Sequence, residues 1–166
     1  PENFALPVNP ISANLVVENA VTVPLVIEGG EKGGMTGAVF RGEQKDLRGL
    51  LEAGMAWAFN GTAGPGGDPL ATFSAGAVAI IAIENRTAFD QPLHIHGHVW
   101  REIERDGAVL DNEPFRDTGV IAAKSMAKFA LVADNPGAWA IQSLVAERAD
   151  AGLTVAFVVA EIAAPK

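Results

Sequence analysis

Turn-forming residues interrupt this chain about every ten residues, and that rhythm restricts its fold more than any other feature. Gly29-Gly30, Gly33-Gly34, Gly64-Pro65-Gly66-Gly67, Arg105-Asp106-Gly107 and Asp134-Asn135-Pro136-Gly137 punctuate short apolar runs. Glycine and asparagine accept left-handed backbone, and proline has no N–H to donate, so such runs do not extend into long helices. Short runs at this spacing predict an all-β sandwich or barrel. Candidate strands cover residues 15–28, 55–60, 77–85, 93–105, 127–133, 138–145 and 153–161. Residues 46–51 and 145–151, rich in Ala, Leu, Arg and Glu, are candidates for one or two short helices. The 166 residues contain no fixed-period repeat and no linker, so they are read as a single domain, 1–166. That length buries a core without staples, and no metal is expected to be required for folding.

Charge and composition remove several classes of function. Twenty acidic residues against twelve basic ones give a net charge of -8, which opposes binding to nucleic acid or to an anionic membrane. No apolar run approaches the roughly 20 residues of a membrane span. Cysteine is absent, which excludes disulfides, thiolate metal sites and cysteine nucleophiles. Asn60-Gly61-Thr62 and Asn85-Arg86-Thr87 match a glycosylation acceptor pattern that is common by chance. Asp106, Asp111, Glu113 and Asp117 read as a solvated acidic loop, because their spacing fits no calcium loop.

All three histidines fall in the stretch His94-Ile95-His96-Gly97-His98. If 93–105 is one strand, alternation puts Leu93, Ile95, Val99 and Ile103 on the core face. His94, His96, His98, Trp100 and Glu102 then share the outer face. Imidazoles two residues apart on a strand bring two nitrogens within reach of one borderline metal. His94, His96 and His98 are therefore the candidate metal ligands. Copper, zinc and nickel are all candidate ions, since imidazole accepts each of them.

The run Thr87-Ala88-Phe89-Asp90-Gln91-Pro92-Leu93-His94-Ile95-His96-Gly97-His98 resembles the first copper motif in the C-terminal domain of multicopper oxidases such as laccases. Arg116-Asp117-Thr118 and Asp134-Asn135-Pro136-Gly137-Ala138-Trp139 are similar to the stretch before that family's second motif. Glu28-Gly29-Gly30 and Trp57-Ala58-Phe59-Asn60-Gly61 are similar to the domain's opening strands. The resemblance runs over residues 6–160 and implies a cupredoxin-like Greek-key β-sandwich. It also implies partner cupredoxin domains in a larger parent enzyme, periplasmic or secreted in bacteria.

Departures from the pattern bear directly on function. The family's second motif, His-Cys-His followed by His and then Met, aligns with Gln142-Ser143-Leu144, Arg148 and Leu153. The resemblance implies type 1 copper positions at Gln91, Ser143, Arg148 and Leu153, all without their ligand. Gln142 and Leu144 stand where the family places two histidines of its trinuclear cluster, whereas His94 and His96 keep theirs. Ser for Cys and Leu for Met preserve volume, as expected of an engineered recombinant scaffold, with a degenerate paralogue as the other origin. The expected function is a non-catalytic scaffold with a His-x-His metal-binding remnant, a monomer or a weak metal-bridged dimer. The competing expectation is an artificial copper enzyme with oxidase or peroxidase chemistry.

Overall fold

The computed structural model describes residues 15–161. Residues 6–14 of the stretch carrying the family resemblance lie outside it. Two sheets face each other across an apolar core. The first runs β4 (Trp57–Phe59), β1 (Val21–Gly29), β6 (Ala77–Asn85), β11 (Met126–Ala133), β8 (Trp100–Arg105), β9 (Ala108–Val109). The second runs β10 (Thr118–Ile121), β7 (Gln91–Ile95), β12 (Gly137–Ser143), β13 (Thr154–Ala160), β5 (Thr72–Ser74). β2 (Gly37–Phe40) and β3 (Glu43–Asp46) form a separate hairpin. The helices are α1 (Leu47–Glu52) and α2 (Ala146–Asp150). β1 lies parallel to β6 and β13 parallel to β5, while the other pairs are antiparallel, giving the expected cupredoxin-like Greek-key sandwich.

Alternation builds the core. Val23, Leu25 and Ile27 of β1, Ile81 and Ile83 of β6, and Phe129 and Leu131 of β11 point inward from the first sheet. Leu93, Ile95, Ile121, Ile141, Phe157 and Val159 meet them from the second. Asp46 caps α1 by accepting from the Gly49 N–H at 2.8 Å, satisfying a free amide of its first turn.

The expected strand 93–105 is in fact two strands in different sheets. Gly97 takes a left-handed φ of 68°, and the chain crosses there from β7 to β8. A side chain at Gly97 would collide with the ring of Trp139. Trp139 is held in place by donating from Nε1 to the Asn135 carbonyl at 2.8 Å, and Asn135 Nδ2 donates to the Gly97 carbonyl at 3.1 Å. The crossing resets the alternation. Trp100, expected on the outer face, is in the core against Phe129. His98 leaves the face of His94 and His96 and packs between Trp139 and Phe157. Both are corrections to the single-strand reading.

Gly97→Ala combines strained backbone with a steric clash. It should destabilise the fold by about 2–4 kcal/mol in chemical denaturation. A loss below about 0.5 kcal/mol, the scatter of neutral surface changes, would show that the Trp139 ring does not fix this turn.

Candidate metal centre

β7 faces two ways, its inward side chains entering the interior and its outward ones lying on the opposite, partly exposed face. Gln91, Leu93 and Ile95 are buried, whereas His94 is half-exposed. His94 lies opposite Thr118 on β10 and Gln142 on β12. His96 follows on the same face, its N–H donating to the Ala140 carbonyl at 2.9 Å. The two imidazoles are 4.6 Å apart between centroids and nearly perpendicular.

Hydrogen bonding decides which nitrogen of His94 is free. The single hydroxyl proton of Thr118 goes to Asp117 Oδ1 at 3.0 Å, so its oxygen accepts from His94 Nδ1–H at 3.3 Å. In the neutral ring Nε2 then keeps its lone pair, the state a metal ligand needs. Asp117 Oδ2, 3.9 Å from Nδ1, supports the same orientation. Asp117 is 62% exposed, as expected of the acidic loop, and the β10–β7 pairing sets it beside His94. His96 Nε2 is buried and has no hydrogen-bond partner. His98 Nδ1 is 3.2 Å from the His96 carbonyl and must be the protonated nitrogen, since a carbonyl only accepts.

Beneath this face Gln91, Ser143, Arg148 and Leu153 come together. Arg148 Nη1 donates to Gln91 Oε1 at 2.9 Å and to the Asp90 carbonyl at 2.7 Å. The guanidinium also lies 5.3 Å from the ring centroids of both Trp57 and Phe89, within cation–π range. Ser143 N–H donates to the Leu153 carbonyl at 3.0 Å, and Leu153 N–H to the Arg148 carbonyl at 2.9 Å. The buried Ser143 hydroxyl accepts from Val145 N–H at 3.2 Å.

Gln91 continues the network inward. Its Nε2 donates to Thr87 Oγ1 at 3.1 Å, and Thr87 Oγ1 lies 2.7 Å from Asn85 Oδ1. Asn85 Nδ2 reaches the carbonyls of Phe89, Ile121 and Ala122 at 2.8, 3.0 and 2.9 Å. Asn85 is 1% exposed, so its acceptor-like tripeptide has no room for a glycan. The sequence did not reveal Thr87 as the partner of Gln91, Asn85 as the partner of Thr87 or Asp90 as that of Arg148, although all three precede the histidine motif within one short segment.

The residues present do not fit a type 1 copper. A guanidinium has no lone pair to offer, and serine provides a hydroxyl where a soft thiolate is needed. The outer face fits part of an imidazole-bound metal site. Gln142 sits beside His94, while Leu144 is 54% exposed and offers no donor atom. Among the described residues no group of three or more His, Cys, Asp and Glu side chains is arranged to hold an ion. Among the same residues, no helix is long and apolar enough to cross a membrane.

Known proteins give the same fold and a family. A family model described as multicopper oxidase matches residues 41–162. The iron transport multicopper oxidase fio1 of Schizosaccharomyces pombe is 33% identical over 98 residues, covering 52% of this chain and 16% of that protein. Multicopper oxidase MmcO of Mycobacterium tuberculosis is 36% identical over 59 residues, covering 36% of this chain and 11% of that protein. The solved multicopper oxidase of Pseudomonas thermotolerans aligns with a TM-score of 0.70 at 24% identity, over 93% of this chain and 33% of that one. The blue copper oxidase of Nitrosomonas europaea aligns at 0.65 and 20% identity, over 89% of this chain and 47% of that one. The chain thus spans a minor part of each of these relatives. With the family model covering most of its length, the chain belongs to the multicopper oxidase family.

Proposed function

We propose that this chain is a cupredoxin domain without blue-copper electron transfer, in which His94 and His96 remain as a two-imidazole metal edge. The observation that carries this reading is the bond between Arg148 and Gln91. Two positions where the resemblance implies copper ligands hold a cation and an amide bonded to each other. The non-catalytic reading of the isolated domain rests on the same contact. The backbones of Ser143, Arg148 and Leu153 are joined through consecutive bonds, which hold these three positions together at the end of the sandwich.

The metal edge is incomplete by itself. Two imidazoles leave coordination positions open, and further donors come from another cupredoxin domain or from a second copy of the chain. Copper bound there supplies a Lewis-acidic, one-electron redox centre. The chain's own part is to present two nitrogens at a fixed angle. Thr118 and Asp117 hold the His94 tautomer, and the β7–β12 pairing holds the backbone of His96.

Calorimetric titration of the full chain with divalent copper tests the edge. His94→Ala and His96→Ala should each weaken binding at least about tenfold, as should Thr118→Val, which removes the hydroxyl that orients His94. His98→Ala should leave affinity unchanged, and binding that survives both His94→Ala and His96→Ala would refute the assignment. The copper-loaded chain should also show no intense copper–thiolate absorption and no phenol oxidation. Peroxidase turnover abolished by both histidine variants would instead favour a catalytic copper.

Light scattering tests the bridging mode. The metal-free chain should be a monomer, and copper or zinc should produce a dimer that His94→Ala cannot form. A dimer retained in His94→Ala would overturn bridging through this edge.

A further inference from the structure

We infer that Arg148 acts as a resident cation in place of a metal: it holds the end of the sandwich together and keeps copper out of the pocket below the histidine edge. This deepens the proposed function, since it rests on reading Gln91, Ser143, Arg148 and Leu153 as the relatives' copper positions. The holding role follows from the contacts. One guanidinium joins the Asp90 carbonyl and the Gln91 side chain of the segment entering β7 to two aromatic rings, Trp57 of β4 and Phe89. β4 belongs to one sheet and β7 to the other, so these contacts cross the sandwich. Through Gln91, Thr87 and Asn85 the connection reaches the end of β10 at Ile121.

The exclusion role follows from charge and chemistry. Arginine stays protonated at any working pH and has no lone pair for a metal. Its positive charge lies 2.9 Å from the side-chain oxygen of Gln91, where an imidazole would have to bind the ion. A divalent cation beside it meets repulsion that water screens poorly in a half-buried pocket. Gln91 is fully buried, and its amide is used at both ends, by Arg148 and by Thr87. The Gln91 oxygen, the one atom of this amide able to bind a metal, is already engaged by the guanidinium.

Three variants of the full chain separate this inference from the reading beneath it. Gln91→His with Ser143→Cys restores two ligands and keeps Arg148. Adding Arg148→Ala removes the guanidinium together with its stem, and adding Arg148→His instead completes a two-histidine, one-cysteine set. Copper should bind the Arg148 form about a hundredfold more weakly than the Arg148→Ala form, and the Arg148→His form should show copper–thiolate absorption. Equal copper affinity of the first two would overturn exclusion by Arg148, whatever the third does. A third variant that folds but lacks thiolate absorption would overturn the reading of the pocket itself.

Should these variants fail to fold, Arg148→Met in the otherwise native chain tests the holding role. It keeps an apolar stem and loses the charge, so the unfolding temperature should fall by about 5–10 °C without metal. Arg148→Lys should recover part of that loss. An unfolding temperature unchanged in Arg148→Met would refute the holding role.

Discussion

The amide of Asn85 is the interaction on which the sandwich's functional end depends. It lies at the last position of β6, buried between the sheets, where an unpaired amide would be costly. Its Nδ2 serves three carbonyls, those of Phe89, Ile121 and Ala122, so its two protons are shared among more acceptors than protons. Its Oδ1 accepts from the Thr87 backbone N–H at 3.0 Å. One side chain thereby sets the path from β6 into β7 and the position of β10 beside it. Gln91 and His94 are placed by that path before either makes any contact of its own.

Placement on one strand also explains why the two sites can differ in fate. Successive β7 side chains leave opposite faces, so Gln91 can join a polar interior network while His94 stays at the surface. A polar network on the inner side of β7 therefore leaves the imidazoles on its outer side free of it. The inner network includes a charge-assisted hydrogen bond from Arg148 to Gln91, which holds a buried polar group at lower cost than leaving it unpaired.

Much of the architecture was legible in the chain. The strand 77–85 matches β6 at both ends, because Ala79, Ile81 and Ile83 alternate cleanly with residues on the outer face. Both short helices fall within a residue of their expected bounds. The crossing at Gly97 was not legible: alternation continues on paper through a glycine, and only the Trp139 ring above it shows why the chain turns. β5, β9 and β10 are too short, or too interrupted by Ser and Gly, to carry a periodic signal. At the candidate site, the position of His94 followed from spacing. Its tautomer did not, since that depends on Thr118, 24 residues away at the start of β10, and on Asp117 just before it.

The strand lengths have a consequence for the chain's behaviour in a crowded solution. The rims of the two sheets are β4, β9, β10 and β5, of three, two, four and three residues. Every strand between them is longer, from five residues in β7 to nine in β1 and β6. An edge of two to four residues offers too few free N–H and C=O groups to template another chain's strand. Among the described residues, growth of an amyloid-like ladder on these rim strands themselves is thereby disfavoured.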